Sequence, residues 1–181
     1  MDSRITAIGN LATIGFSGPM NALRTVTLLA ATLTMGLVSG AFVLYAHTVM
    51  PGLKKTDDRT FVTAFQSLDR AIINPWFMAG GFLGALVFTA AALLAHRGGD
   101  ALPWIVAALV LYATAFVITI AVNVPLNDAI KAATGPDFAA VRERFHEARW
   151  AGWNLVRAVT STAAFGCLAW ALVIDGRSAP A

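Results

Sequence analysis

Residues 144–174 read RFHEARWAGWNLVRAVTSTAAFGCLAWALVI, and the fold prediction starts here because a polar helical stripe runs straight into an apolar segment. On a helix, one face would carry side chains spaced three or four residues apart, namely His146, Trp150, Trp153, Asn154 and Arg157. Crossing about 30 Å of hydrocarbon takes about 20 residues, so the run 158–174 is too short alone and the span must begin within 150–157. Arg157 therefore enters the membrane, where a cation costs roughly 2.5–3.5 kcal/mol and needs partners.

The composition of the whole chain is that of an integral membrane protein. Of its 181 residues, 57% are hydrophobic and 13% are charged, whereas soluble domains carry about 25% charged residues. Further charge-free runs at 25–53, 71–95 and 101–127 predict spans near 26–50, 76–95 and 102–122. We therefore predict an all-α, polytopic protein: a four-transmembrane-helix bundle with short amphipathic helices at one membrane side.

The predicted organisation is an N-terminal arm (1–24), a single four-helix transmembrane domain (25–175) and a C-terminal tail (176–181). Residues 1–21 lack the features of a signal peptide, so we expect the first span to be retained. A net charge of +3 without a basic run gives no reason to expect a nucleic-acid partner. The single cysteine, Cys167, excludes an internal disulfide and a multi-cysteine metal site.

The number of membrane crossings decides on which side of the membrane each polar segment lies. With four spans, the ends of spans one and three and the beginnings of spans two and four lie on the same side of the membrane. We call the predicted polar site at that side the cup. Its members are His47, Gln66, Asp69, Arg70, Asn74, Asn123, Asn127, His146, Trp150, Trp153, Asn154 and Arg157.

Spacing also predicts local features of the spans. Small-residue pairs, Gly36 with Gly40 and a second pair at 80 and 84, predict close helix packing, either within the chain or in a homo-oligomer. His47 shares the face of Gly36 and Gly40, so we expect its imidazole to point into the bundle. Pro51 is expected to end the first span and Pro125 to kink or stop the third. His96, in the opposite loop, is expected to be solvated.

Several interpretations of the cup stay open at this stage. Arg157 either pairs structurally with Asp69 or Asp128, stabilises a developing oxyanion, or snorkels to the interface. His47 is either a general base or a hydrogen-bonded core histidine, and His146 and Asp128 are candidates for a second base or ligand. The two tryptophans of the stripe are either interface anchors or walls for a flat ligand.

No metal site or cofactor is predicted, since the candidate ligands come from distant segments without metal-binding spacing. Those candidates are His47, His146, Asp69, Asp128 and Glu147. A haem held between the two histidines, or a copper ion, remains an alternative. The chain also lacks a glycine-rich phosphate loop, a nucleophile elbow and a CxxC motif.

Four motifs occur in order: VMPGL at 49–53, FxxxFQxxDRxIxNPxF at 61–77, VNVPLNDAI at 122–130 and FxxxRWxxWNxxR at 145–157. Together they resemble an integral-membrane domain-of-unknown-function family that includes the anthrone oxygenases of aromatic polyketide pathways. The likeness covers about residues 28–174. It implies a four-helix membrane protein and, for characterised members, oxidation of an anthrone to an anthraquinone with O₂ as co-substrate and without flavin or haem.

On that resemblance, we interpret the chain as a membrane oxygenase acting on a lipophilic aromatic or phenolic compound. His47 would remove the acidic methylene proton, with Asp69 also in the catalytic set, and Arg157 or Arg70 would hold the anionic oxygen. The side chains expected to bind the substrate are Gln66, Asn74, Asn123, Asn127, Trp150, Trp153 and Asn154. The alternatives are a non-enzymatic binding or transport subunit for a quinone, lipid or small solute, and a haem- or copper-binding membrane protein.

Loop charges predict the orientation. The cup side carries more cations (Lys54, Lys55, Arg59, Arg70, Lys131, Arg142, Arg144 and Arg149) than the opposite side (Arg4, Arg24, Arg97 and Arg177). The positive-inside rule then places the cup in the cytoplasm and both termini outside. We expect a multi-pass protein of the bacterial inner membrane, whose partners are bilayer lipid and a lipophilic small molecule.

Overall fold

The computed structural model describes residues 19–133 and 135–178, which are helical with no strand. Residues 1–18 of the predicted arm and 179–181 of the predicted tail lie outside the described residues. In chain order, the elements are α1 (Pro19–Leu44), a π-helical segment (Tyr45–Val49), α2 (Met50–Lys54), α3 (Asp58–Ile72), a second π-helical segment (Trp76–Leu83), α4 (Gly84–Ala95), α5 (Leu102–Ile118), a third π-helical segment (Thr119–Asn123), α6 (Val124–Ala132), α7 (Phe138–Phe145) and α8 (Glu147–Ser178).

Four stretches of the described chain are long and apolar enough to cross a membrane, which makes this a multi-pass membrane protein. They are span 1 (Met20–Lys54), span 2 (Trp76–Ala95), span 3 (Leu102–Ala132) and span 4 (Glu147–Arg177). Each packs against its neighbours in the order 1–2–3–4, and span 4 closes against span 1. The prediction of an all-α protein with four spans is confirmed, including the start of the fourth span upstream of Arg157.

Small side chains form much of the core between the spans. Alanines allow the backbones to approach closely, which matters in lipid, where no hydrophobic force drives helices together. The buried positions of spans 1 and 4 are Leu28, Ala31, Met35, Val38, Phe42, Ala158, Ala164, Leu168 and Ala171. Spans 2 and 3 contribute Ala85, Ala92, Ile105, Ala108, Tyr112 and Ala115.

In the pair Gly36 and Gly40, only Gly36 contributes to helix packing. A Cβ on Gly36 would lie 3.0 Å from the ring of Phe165, so this glycine does allow a close contact between spans 1 and 4. Gly40, one turn further on, is exposed with open space where a Cβ would be. The face marked by this pair is therefore not the buried face of span 1, which follows the leucine, alanine and methionine positions instead.

Neither Pro51 nor Pro125 ends its helix, which corrects the predicted end of span 1 at Pro51 and excludes a stop of span 3 at Pro125. Each proline stands two residues after a π-helical segment. Just before them, the Met50 N–H donates to the Tyr45 carbonyl and the Val124 N–H donates to the Thr119 carbonyl, which are wide π-type hydrogen bonds. A wider turn moves away the carbonyl that the proline ring would otherwise hit, so the helix continues.

The short helices α3, α6 and α7 form a second layer at the cup end of the bundle. Their inward faces meet in an aromatic and aliphatic cluster that includes Phe61, Val62, Phe65, Met50, Leu126, Ile130, Val141, Phe145 and Trp150. Asp57 caps α3 by accepting from the Thr60 N–H at 3.0 Å, and the hydrogen bonds from Thr60 lower the pKa of this carboxyl. The predicted amphipathic helices at one membrane side are thus confirmed.

Arg142 ties this layer to span 4. Its guanidinium pairs with Asp58 and with Glu147, each at 3.0 Å, and lies 4.2 Å from the ring centroid of Phe61. One side chain therefore joins the start of α3, α7 and the start of span 4, and this fixes the second layer over the bundle.

At the opposite end, His96 is buried, so the expectation that it is solvated is wrong. Its Nδ1 lies 2.8 Å from the carbonyl of Ala92 and its Nε2 lies 3.4 Å from Asp175, near the end of span 4. His96 follows α4 directly, and the tight turn after it folds this residue back under the end of span 4.

Candidate functional site

A cavity of about 380 Å³ lies between the four spans at the cup end. Its wall is largely aromatic and aliphatic, with a few polar side chains at separate points. The lining residues are Ala41, Phe42, Tyr45, Phe65, Asp69, Ile72, Ile73, Phe77, Met78, Phe82, Leu83, Phe116, Thr119, Ile120, Val124, Asn127, Lys131, Trp150, Asn154 and Arg157. Small-molecule sites have about 300–1,000 Å³ and this same mixture of apolar walls and sparse polar groups.

All three π-helical segments border this cavity. Tyr45 comes from the first, Phe77 and Met78 from the second, and Thr119 and Ile120 from the third. An extra residue in a helical turn displaces side chains from the regular spacing and spreads the backbone, and such turns are frequent at functional sites. Spans 1, 2 and 3 are thus widened where they surround the cavity, while span 4 contributes the cation.

Arg157 is 5% exposed and faces the cavity from span 4. Its Nη2 donates to the Asn154 side-chain oxygen at 2.8 Å and its Nη1 to the Thr119 hydroxyl at 3.2 Å, while the guanidinium lies 4.4 Å from the Phe42 ring centroid. These partners are neutral, and within the described residues Arg157 makes no ion pair with a carboxylate. Cation–π contacts stabilise a desolvated guanidinium by about 2 kcal/mol or more, but they leave its charge uncompensated.

A second polar group stands across α3, α6 and span 4. Asn127 is its centre: its amide donates to Asp69 at 2.6 Å, and its side-chain oxygen accepts from the Trp150 indole N–H at 2.6 Å. Lys131 lies 3.0 Å from the other Asp69 oxygen and 3.0 Å from Asp128. The two aspartates considered as partners of Arg157 are therefore paired with Lys131, so the structure does not support that one of the three alternatives. Lys131 is one helical turn after Asn127, so its ammonium group lies beside the Asp69 carboxylate that Asn127 also contacts.

The cavity brings together part of the predicted cup. Asp69, Asn127, Trp150, Asn154 and Arg157 all line it. Three of them come from span 4, where the pattern at 146–157 indicated a common face, and two come from the segments that parity placed at the same end. These five positions are the part of the predicted site that the structure assembles.

His47 does not face the cavity, so the expectation that its imidazole points into the bundle is wrong. It is exposed, its Nδ1 is 2.6 Å from the hydroxyl of Thr48, and it lies in an apolar groove between the outer sides of spans 1 and 4. The spacing from Gly40 was correct, but Gly40 itself faces outward. His47 follows it to that side.

Four other predicted positions also lie outside the cavity lining. Arg70 and Trp153 are exposed, and Asp128 is 61% exposed beside Lys131. His146 is exposed and has a left-handed backbone with φ of 51°, since it forms the turn between α7 and α8. The stripe at 144–157 is therefore not one continuous helix face, because the chain turns at His146.

Three predicted amides hold the backbone around the site. Gln66 donates to the Ile130 carbonyl at 2.8 Å, which ties α3 to α6. Asn74 accepts from the Phe77 N–H at 2.9 Å and so caps the second π-helical segment. Asn123 is buried and its amide lies 3.4 Å from the Trp150 carbonyl.

The sequence interpretation missed Lys131, Thr119 and four members of the aromatic wall, namely Phe42, Tyr45, Phe82 and Phe116. Lys131 lies beyond the charge-free run of span 3, yet its spacing of one turn from Asn127 was a usable signal. Thr119 resembled any other threonine of an apolar span. Among the described residues, no group of three or more His, Cys, Asp or Glu side chains is placed to hold a metal ion.

Fold and site together define a class of protein: a four-span, all-α membrane protein with an aromatic cavity and a desolvated cation at one end. The sequence profile of the anthrone oxygenase family matches residues 69–167, more than half of the chain, and the protein belongs to this family. The match includes the five predicted positions that line the cavity and the motifs at 122–130 and 145–157. Comparison with curated proteins gave no match, and comparison with solved structures gave none.

Proposed function

We propose that this protein oxidises a lipophilic, anthrone-like aromatic compound with O₂ inside the cavity. The observation that carries the proposal is Arg157, a desolvated guanidinium with neutral partners that faces an aromatic chamber. Such a cation stabilises an oxyanion far better in a water-poor site than in solution. Membership of the anthrone oxygenase family supports an oxygenase role, and the substrate and the steps below are our inference.

The cavity suits a flat, fused-ring ketone. Its volume of about 380 Å³ is at the lower end of the range for small-molecule sites. Phe42, Phe65, Phe77 and Trp150 provide ring faces and edges against which an aromatic molecule can stack. Asn154 holds the Arg157 guanidinium in place, since its own amide is anchored on the Phe42 carbonyl at 3.1 Å.

The reaction begins with loss of a proton from the methylene carbon opposite the ketone. The electron pair left on that carbon is delocalised onto the ketone oxygen, which becomes an anion beside Arg157. The carbanion then transfers electrons to O₂ and a C–O bond forms. The resulting peroxide anion takes back the proton held by the base, and the hydroperoxide loses water, by cleavage of its O–O bond and of the remaining C–H bond, to give the second carbonyl. One oxygen atom of O₂ enters the quinone and the other leaves as water, so atoms and electrons balance.

We propose Asp69 as the base that takes the methylene proton. It is the carboxylate among the described cavity-lining residues, and Asn127 and Lys131 fix its two oxygens. His47, the base favoured by sequence, lies on the outer side of span 1 and has no part in this proposal.

The test is turnover of anthrone by the purified protein reconstituted in liposomes, followed by quinone absorbance and O₂ uptake. We expect one O₂ consumed per quinone formed, faster than in protein-free liposomes. The matched pair is Asp69→Asn against Asp128→Asn, because both carboxylates contact Lys131 at 3.0 Å but only Asp69 lines the cavity. Removing a general base lowers the rate by about 10²–10⁴-fold, so Asp69→Asn should lose turnover and Asp128→Asn should keep it.

The same assay tests Arg157. Loss of one oxyanion-stabilising donor lowers kcat by about 10²–10³-fold, and we expect Arg157→Leu to show at least this loss while Arg157→Lys keeps part of the activity. Anthrone that is bound stoichiometrically and recovered unchanged after exposure to O₂ would contradict the proposal. It would favour a binding or transport subunit instead.

A further inference from the structure

Spans 2 and 3 diverge beside the cavity. Away from the cup they are in contact, and Phe82 joins them at the edge of the cavity: its ring stacks on Phe116 at 4.9 Å and its carbonyl accepts from the Tyr112 hydroxyl at 2.7 Å. On the cup side of Phe82, the second π-helical segment packs against α1 and α4. The cavity separates this part of span 2 from the third π-helical segment, since both contribute side chains to its lining, and this leaves a gap between them.

We call this gap the window. Its two long edges are aliphatic side chains that line the cavity and are exposed on the outer surface: Ile73 and Leu83 on one edge, Ile120 and Val124 on the other. Ile73 is 57% exposed and Ile120 is 55% exposed. Phe82 closes the window on the core side, and the bond between Asp69 and Asn127 closes it on the cup side.

We infer that the window admits the substrate sideways from the bilayer into the cavity. Its edges are apolar and exposed, on span 2, on span 3 and at Ile73 just before span 2, so a molecule dissolved in hydrocarbon reaches them without returning to water. Transfer of apolar surface to water costs about 25 cal/mol per Å², which makes the aqueous route slow for a fused aromatic ring. The chemical class admitted is a flat, membrane-dissolved aromatic, and this part of the inference rests on the proposed function.

The direction of approach agrees with the placement of the cation. Because the spans pack in the cyclic order 1–2–3–4, the window between spans 2 and 3 faces the wall formed by spans 1 and 4. That wall carries Phe42 and Arg157, with the guanidinium 4.4 Å from the ring centroid. A ketone entering with its oxygen first therefore meets the guanidinium at the back of the cavity.

The test is photolabelling in liposomes with a phenyl diazirine dissolved in the lipid, with adducts located by mass spectrometry. Phe42 and Phe61 form a matched pair, since both are buried phenylalanines but only Phe42 lines the cavity. We expect adducts on Phe42 to exceed those on Phe61 several-fold. Ile120→Trp should reduce labelling of Phe42 several-fold, whereas Val117→Trp should not, because Val117 is 62% exposed one turn away and lies outside the cavity lining.

Equal labelling of Phe42 and Phe61 would overturn the inference, as would unchanged labelling of Phe42 in Ile120→Trp. The second result would indicate access from the aqueous end near Lys131. The probe reacts without turnover, so this outcome is separate from the fate of the proposed function. A protein that is labelled through the window but does not oxidise anthrone would refute the activity and leave the window in place.

Discussion

Asn127→Leu is the substitution that most directly tests how the site is held together. Leucine has a similar volume, so the change removes hydrogen bonds with little change in packing. The buried Trp150 indole N–H loses its acceptor and one buried Asp69 oxygen loses its donor, both at 2.6 Å in the native protein. A buried polar group left without a partner costs about 1–3 kcal/mol, and Lys131 still contacts Asp69. We therefore expect a loss of about 2–4 kcal/mol in the free energy of unfolding.

The assay is thermal unfolding in detergent, followed by far-UV circular dichroism. At about 2–4 °C per kcal/mol for a chain of this size, Tm should fall by roughly 5–15 °C. The control is Asp128→Asn on the same helix: this carboxylate is exposed and, within the part of the chain that the structure describes, its ion pair is with Lys131, so the change should stay within about 0.5 kcal/mol.

A double variant separates the network from a general loss of packing. In the double variant Asn127→Leu with Trp150→Phe, no indole N–H is left without an acceptor. Trp150→Phe should therefore lower the free energy of unfolding by about 1–3 kcal/mol less in the Asn127→Leu protein than in the native protein. Additive effects, or an Asn127→Leu protein as stable as the native one, would refute the argument that Asn127 organises this end of the site.

Two further predictions concern packing and orientation. Gly36→Ala should lower the free energy of unfolding by up to about 1 kcal/mol, because its Cβ would lie 3.0 Å from the Phe165 ring. Gly40→Ala places its Cβ in open space, so it should be neutral or raise the free energy of unfolding by about 0.4–1 kcal/mol. Thermal unfolding of both variants checks this pair, and equal effects would contradict it. For the orientation, the positive-inside rule predicts that the cup side, which carries more cations, lies in the cytoplasm. In a cysteine-free background on intact cells, Lys55→Cys should then be protected from an impermeant maleimide, while Asp100→Cys should be labelled. The reverse pattern would contradict this predicted orientation.

The fold was predictable from the sequence because lipid leaves few choices. Every backbone polar group inside hydrocarbon must be satisfied internally, so apolar runs of sufficient length become helices. Parity then brought Asp69, Asn127 and Arg157 to one end of the bundle without any knowledge of side-chain contacts. Span 4 was the most informative segment, since its polar face continues into the apolar run.

The contacts within the site were less predictable. His47 was misplaced because glycine spacing was used to define the buried face of span 1, although lipid-facing glycines have the same spacing. Lys131 was missed because an ion pair between α3 and α6 depends on how two helices cross, and no local pattern encodes that crossing. The π-helical segments also shift side chains from the regular helical period, so the aromatic wall could not be read from that period.

Turnover of anthrone under ¹⁸O₂, with the quinone analysed by mass spectrometry, tests whether the cavity oxidises its ligand with O₂. We expect one ¹⁸O atom per quinone, the second in water, and a rate that falls to the protein-free level in Arg157→Leu while the variant remains folded. Quinone formed at the protein-free rate by the native protein, or at the native rate by Arg157→Leu, would contradict this expectation.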